Sequence, residues 1–320
     1  MKTAIYKAYG SPEVIQIIEI LRPALKSNEV LIKVRASSAT IADTMMRKGT
    51  PKLGRLFLGL FKPKNIGLGT GFSGIVESIG SEVTKFNIGD EIFGEKLFSN
   101  GSNSEYLCAS EDAVIAIKPN NISHQEAAPI CDGFLTSYSF LKDIGKLKKG
   151  QHILINGASG SLGSAAVQIA KLIGAKVTAV CSAKNIDLVK LLGTDYVIDY
   201  KKNDFTEMGD FYDVIYDTVG KSSYRKSKKV LSSNGLFMSP VLSGEILWYS
   251  ILSPKKVKFS ATGMRKRKDL KHLLDKLVSL FKQEKLNTII DRTYPLEDIV
   301  EAHKYLESGH KVANIAIINQ

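Results

Sequence analysis

Residues 153–184 read ILINGASGSLGSAAVQIAKLIGAKVTAVCSAK, and this stretch decides the fold. Ile153-Leu154-Ile155 is a continuous apolar run of the kind that forms a strand buried on both faces. A turn carrying Gly157, Gly160 and Gly163 follows. Then comes a helical pattern with Ala165, Val167, Ile169, Ala170, Leu172 and Ile173 on or near its apolar face, closed by Gly174. Residues 176–181 supply a second strand. The turn has a physical logic. Gly160, lacking a Cβ, lets a pyrophosphate approach the backbone, and Gly163 lets the helix pack closely on the strand. The N–H groups and dipole of the helix start then face negative charge. With strand before and helix after, the pattern predicts a dinucleotide site at Ala158, Ser159, Gly160, Ser161, Leu162 and Gly163.

Further strand patterns fall at 196–199, 213–217, 235–239 and 257–261 and alternate with helical ones, which predicts an α/β, doubly wound parallel Rossmann sheet. Ser123-His124-Gln125-Glu126 is a capping box opening a helix interrupted near Pro129. Residues 1 to about 120 read differently, as short strands such as 15–20, 30–36 and 113–117 punctuated by Gly and Pro, hence a partly closed β domain. A chain of 320 residues accommodates two such cores.

The formal charge is +12, but the basic residues are scattered. The one dense cluster, Arg265-Lys266-Arg267-Lys268, leads into an amphipathic helix and reads as a solvated helix start, so nucleic acid is not an expected partner. Cys108, Cys131 and Cys181 are widely spaced and odd in number, which fits reduced thiols and a cytoplasmic location. No apolar run reaches membrane-spanning length, and no stable membrane insertion is expected.

Residues 75–94, IVESIGSEVTKFNIGDEIFG, resemble a glycine-punctuated signature of the medium-chain dehydrogenase/reductase superfamily. The glycine turn at 157–163, the segment FYDVIYDTVG (211–220) and PLEDIVEAHKYLESGHKVANIAI from Pro295 resemble that family in their spacing, so the likeness covers nearly the whole chain. The Gly-Ala-Ser-Gly-x-x-Gly turn is similar to that of its zinc-free quinone oxidoreductases and enone reductases. The resemblance implies a GroES-like, partly closed β-barrel catalytic domain at 1–122 and 266–320, and a Rossmann NADPH-binding domain at 123–265. It also implies a homodimer formed through the nucleotide domain. Thr40 takes the place of a substrate-side residue, and Asp43 matches an acid whose role is to fix its loop. Thr136, Val219, Val241 and Asn314 are placed by the resemblance beside the cofactor.

The residues themselves bear on cofactor choice. An NAD site places an acid at the end of the second strand, whereas this chain reads Cys181-Ser182-Ala183-Lys184 there. Ser182 and Lys184 offer a donor and a positive charge on a carboxylate-free edge, which favours the 2′-phosphate of NADPH. Tyr200 matches a tyrosine beside that phosphate in similar reductases, and Asp187, the competing acid, is expected inside the next helix. Catalytic zinc is not expected. Gly69-Thr70-Gly71 stands where the family has Gly-His-Glu, residues 38–43 hold no cysteine, and the five histidines show no ligand spacing with cysteine. His303 and His310 read as surface or packing residues.

Without a metal, a quinone or α,β-unsaturated carbonyl is the expected substrate, because its conjugated system spreads the arriving charge to oxygen. Two alternatives stand beside this: an alcohol or aldehyde dehydrogenase, and a cofactor-binding protein with little turnover. Leu53–Phe61, LGRLFLGLF, reads either as a buried helix or as an exposed lid, interface or membrane-leaning surface. Trp248-Tyr249 and Ile251-Leu252 read as a substrate-mouth or dimer surface.

Overall fold

A computed structural model of the chain describes residues 1–64, 66–96, 101–209, 211–260 and 264–319, with the side chains of Leu53 and Phe57 outside that description. The chain forms two compact units, residues 1–132 with 266–320, and residues 133–265. Strands β1 (Lys2–Tyr6), β2 (Ile15–Glu19), β3 (Glu29–Ala39), β4 (Gly71–Ile79), β5 (Glu91–Glu95), β6 (Tyr106–Ser110) and β7 (Ile115–Ile117) belong to the first unit. The second carries β8 (His152–Asn156), β9 (Lys176–Cys181), β10 (Tyr196–Asp199), β11 (Tyr212–Asp217), β12 (Leu231–Ser239) and β13 (Val257–Phe259). The chain then returns to the first unit with β14 (Ile290–Pro295) and β15 (Asn314–Ile318).

In the second unit the sheet order is β10-β9-β8-β11-β12-β13, every pair parallel. The order steps outward from β8 in one direction and then from β11 in the other, as in a doubly wound sheet. Ile153, Leu154 and Ile155 are completely buried, as a strand covered on both faces requires. β12 starts four residues earlier than its apolar core suggests, because Leu231 already pairs with Tyr212; the register then shifts so that Leu236 lies opposite Val214, and the polar residues between them form an irregularity in the strand. β13 is the short element Val257–Phe259, and the rest of the expected 257–261 strand reaches position 261, outside the described residues.

The first unit holds a sheet ordered β14-β15-β3-β4-β5-β7, with β6 also paired to β3. β15 lies antiparallel to β3, Ile315 opposite Ala39 and Ile318 opposite Ala36, so the last residues of the chain complete a sheet begun by its first forty. Its interior is built from alternate strand residues, among them Val30, Ile32, Val34, Phe72, Val76, Ile92 and Leu107. The capping box at Ser123 is formed, with Glu126 bonding back to the Ser123 N–H. That helix is only His124–Ala127, and the chain continues past Pro129 as wide turns from Cys131 to Leu135 and from Ser139 to Ile144. The helix His124–Ala127 packs on β3 and β4, which carries the first unit through to Asp132 rather than ending it at 122.

Candidate active site

In the second unit the glycine turn leaves the end of β8. Gly157 adopts φ +80°, and the N–H groups of Gly157 and Ala158 both donate to the Val180 carbonyl at 3.0 Å. The helix Ser161–Ile173 follows, with Gly160 at its N-cap and no side chain capping it. The two inner glycines serve different masters. A Cβ on Gly163 would lie 2.1 Å from the Gly157 carbonyl oxygen and 2.6 Å from Ala158 Cα, so this glycine is required by the protein's own packing. A Cβ on Gly160 would meet only the Gly157 carbonyl, at 3.3 Å, in a backbone conformation open to any residue. The fold therefore demands glycine far less at 160 than at 163: a Cβ there would press on one backbone oxygen by a few tenths of an ångström, and a glycine is what a pyrophosphate brought close to the backbone needs. Ala158 is fully buried, and Ser159 is held by the Asn185 amide at 2.9 Å, a tie that nothing in the motif announces.

What meets at the carboxyl ends of β9 and β10 is set by strand register. β9 and β10 pair so that Asp199 lies opposite Cys181, and the Tyr200 N–H donates to the Cys181 carbonyl at 3.2 Å. Ser182, Lys184 and Tyr200 are thereby gathered at neighbouring strand ends, with Lys184 and Tyr200 exposed. Asp187 lies within the helix Ile186–Leu191. The edge is not free of carboxylate, however, and here the expectation is corrected. Asp199 belongs to it because pairing across strands brings together residues far apart in sequence. Burial, and then the Asp199 charge, push the Cys181 thiol up to about 11. One Asp199 oxygen accepts from the Lys201 N–H at 3.1 Å.

At the opposite end, Asp217 organises two loops. Its Oδ1 accepts from the N–H groups of Val219 (3.2 Å) and Gly220 (3.1 Å) and from Asn156 Nδ2 (3.0 Å), and its Oδ2 from the Ser222 N–H (2.8 Å). Its own carbonyl accepts from Ser239 Oγ, which in turn accepts from the Val241 N–H. Burial still outweighs these donors and raises the Asp217 carboxyl above its usual range. The result draws Val219 and Val241 together around the glycine turn: a Cβ on Gly157 would strike Val219, and one on Gly220 would strike Val241. Thr136 is 8% exposed, and its neighbour Ser137 donates to the Leu162 carbonyl, tying this segment to the glycine-turn helix. Asp217 and Asn156 escaped the sequence reading because an acid and an amide closing two strands look like ordinary strand ends.

Thr40 and Asp43 lie in the first unit. Thr40 is the N-cap of the helix Ile41–Lys48, and Asp43 closes a full capping box on it. Thr40 Oγ1 accepts from the Asp43 N–H at 3.1 Å and gives its one proton to Asp43 Oδ2 at 2.7 Å. So Asp43 does fix its loop, and in doing so it takes the proton that Thr40 was expected to offer a substrate. Asp43 is completely buried, and its Oδ1 makes no hydrogen bond of ordinary geometry among the described residues, the Gly69 N–H being the one donor besides Thr40 that acts on the carboxyl. Nearby, Asp132 accepts from Thr70 Oγ1 at 2.8 Å and from Ser38 Oγ. Burial, and then the Asp132 charge, push Asp43 up to about 7 and Glu95 up to about 8. Thr70, standing at the family's histidine position, thus serves Asp132. Among the described residues no group of three or more His, Cys, Asp or Glu is arranged to hold a metal ion. His303 is buried and held neutral down to about 3 by that burial and by Arg47, and so is a packing residue. Asn314 spends its side-chain amide on the Ile289 carbonyl at 3.0 Å, bracing β15 against the turn before β14.

Two apolar segments are exposed. Leu53–Phe61 is not a buried helix: the short turns Lys52–Gly54 and Arg55–Leu58 leave Leu56, Leu60 and Phe61 open to solvent. Helix Gly244–Leu252 likewise exposes Trp248, Ile251 and Leu252, while Tyr249 packs edge-on against Tyr224.

Comparison with known proteins agrees with this architecture. Residues 26–120 match the alcohol dehydrogenase GroES-like domain and residues 192–317 the zinc-binding dehydrogenase family. The chain is 32% identical to 2-methylene-furan-3-one reductase of Solanum lycopersicum, over 99% of its length and 79% of that protein. It is 30% identical to a chloroplastic quinone-oxidoreductase homolog of Spinacia oleracea, over 98% and 96%. The Escherichia coli quinone oxidoreductase complexed with NADPH superposes with a TM-score of 0.86 at 27% identity, each chain fully covered. The chain belongs to the medium-chain dehydrogenase/reductase superfamily, alongside its quinone oxidoreductases and enone reductases.

Proposed function

We propose that the chain is an NADPH-dependent, metal-independent reductase of quinones or α,β-unsaturated carbonyls. The observation that carries this reading is Gly160, a position where the fold tolerates a side chain and a bound pyrophosphate would not. When bound, the cofactor supplies hydride. The names of the relatives, an enone reductase and quinone oxidoreductases, give the substrate class. The chain's own residues have three tasks. The Asp217 network holds the Val219 and Val241 loops as one wall of the nicotinamide site. Ser182, Lys184 and Tyr200 receive the 2′-phosphate, with Lys184 outweighing Asp199. Thr40 donates to the oxygen on which substrate charge collects, and it is free to do so only when Asp43 carries a proton and can donate to Thr40 Oγ1 in turn. We further infer a cytoplasmic homodimer: all three cysteines are free thiols, and among the described residues β13 is the last strand of the parallel sheet, an edge that a second copy could extend.

Purified protein with NADPH is expected to reduce quinones and enones and to leave saturated alcohols and aldehydes unchanged. Turnover confined to the latter would overturn the proposal. Lys184→Ala is expected to raise KM for NADPH about tenfold, the loss of one charge-assisted contact, and to leave KM for NADH nearly unchanged. Equal changes with both cofactors would remove Lys184 from the phosphate site.

A further inference from the structure

We propose that the turn closed by Leu58 and Lys64 is a peripheral docking site for an anionic lipid bilayer. Residues 44–76 contain Arg47, Lys48, Lys52, Arg55, Lys62 and Lys64 and no Asp or Glu, so this segment alone carries six of the formal net +12. Three of the six are engaged elsewhere. Arg47 and Lys48 pair with Glu307, and Arg55 lies over the Tyr9 ring and donates to the Lys48 and Gly49 carbonyls. Lys52, Lys62 and Lys64 are exposed, with no ion pair among the described residues. Beside them stand Leu56, Leu60 and Phe61, at 61%, 56% and 89% exposure.

The turn is built rather than loose. The Lys64 N–H donates to the Leu58 carbonyl at 2.8 Å, the Gly59 N–H to the Arg55 carbonyl at 2.8 Å, and Tyr9 Oη to the Gly59 carbonyl at 2.6 Å. Gly59 has φ +120°, and a Cβ there would lie 2.0 Å from the Lys62 carbonyl oxygen. Leu60-Phe61-Lys62 is thereby held outward as two apolar tips next to a cation. A bilayer surface is layered in the same order, with an apolar boundary beneath a sheet of phosphates. Charge complementarity selects the occupant. A second copy would bring its own net positive charge against these lysines, and nucleic acid would gain little from Leu60 and Phe61. No described helix is long and apolar enough to cross a membrane, so the contact is adsorption.

The full chain can be sedimented with vesicles of phosphatidylcholine alone and of phosphatidylcholine mixed equally with phosphatidylglycerol. The protein is expected to bind the mixed vesicles, to ignore the neutral ones, and to be released by salt. Each lost cation is expected to weaken partitioning about fivefold, so Lys62→Glu with Lys64→Glu should abolish it. Leu60→Ser with Phe61→Ser is expected to weaken it about tenfold or more at an unchanged melting temperature. Equal binding to both vesicle types, no binding, or variants that bind like the parent would overturn the proposal. So would dissociation of an oligomer by the Leu60 and Phe61 changes, or a stoichiometric complex with an acidic protein in place of vesicle binding. None of these readouts depends on turnover, so the reductase reading stands or falls separately.

Discussion

Gly160→Ala is expected to leave the protein folded near its usual melting temperature and to weaken NADPH binding by on the order of a hundredfold. Gly163→Ala is expected to destabilise the nucleotide unit itself by roughly 3 kcal/mol or more. The two positions lie three residues apart in one motif, and sequence alone gives no reason to separate them. Geometry does. At 163 the new methyl would sit 2.1 Å from a backbone oxygen and 2.6 Å from a backbone carbon, and backbone held by β8 and by the Val180 carbonyl cannot swing away as a flexible side chain could. The helix Ser161–Ile173 would have to lift off the turn, and its buried face, Ala165, Ala166, Val167, Ile169 and Ala170, would lose its fit. At 160 the methyl has a single neighbour, a backbone oxygen at 3.3 Å that need yield only a few tenths of an ångström, so a large effect on binding at a modest cost in stability reports on what lies against that backbone. Thermal melts paired with calorimetric titration of NADPH separate the two. Undiminished binding by a folded Gly160→Ala variant would show that no pyrophosphate lies against that backbone.

How much was legible beforehand follows from the range of the interactions involved. The glycine turn and its flanking elements are local: apolar run, glycine spacing and helical periodicity all lie within 32 consecutive residues, and each was readable. The position of Asp187 inside the next helix was readable for the same reason. Asp199 was not, since it joins Ser182 and Lys184 at the strand ends only through the register of β10 on β9. The same holds for Asp217, whose carboxylate gathers N–H groups from its own loop while its main-chain carbonyl accepts from Ser239 on another strand and so ties in the 239–241 loop. Asp132, Thr70 and Ser38 come from three separate segments, so no spacing rule joins them. Thr40 and Asp43 are the instructive pair. Their i, i+3 spacing is that of a capping box, but which of them holds the shared proton depends on burial, and burial of a single carboxylate is a property of the whole sheet around it.

Asp43→Asn is expected to stabilise the protein by an amount that grows with pH, from almost nothing near pH 4 to roughly 2–4 kcal/mol above pH 7. The folded chain holds the Asp43 proton up to about pH 7, against 3.8 for a free carboxyl, chiefly because the side chain is buried and then because Asp132 repels its charge. Well below pH 4 both states are protonated, so the group contributes its full stability there. As pH rises towards 7 the unfolded chain releases the proton and the folded chain does not, and that stability is lost. Asparagine cannot ionise, so it escapes the loss, and its side-chain NH2, like the protonated carboxyl, can donate to Thr40 Oγ1 and leave the Thr40 proton free. The groups acting on Asp43 are few: Asp132, the Thr40 hydroxyl and N–H, the Gly69 N–H, and Tyr6, whose phenol is itself pushed up to about 12 by burial and then by Asp43. Turnover gives an independent reading. If Thr40 can donate outward only while Asp43 is protonated, kcat/KM for an enone should fall as pH rises through about 7 in the parent and stay flat in Asp43→Asn. A stability difference that does not vary between pH 4 and pH 8 would mean that Asp43 is ionised throughout. In that case the Thr40 hydroxyl stays turned inward at all pH, and the substrate's oxygen must take its hydrogen bond from another group.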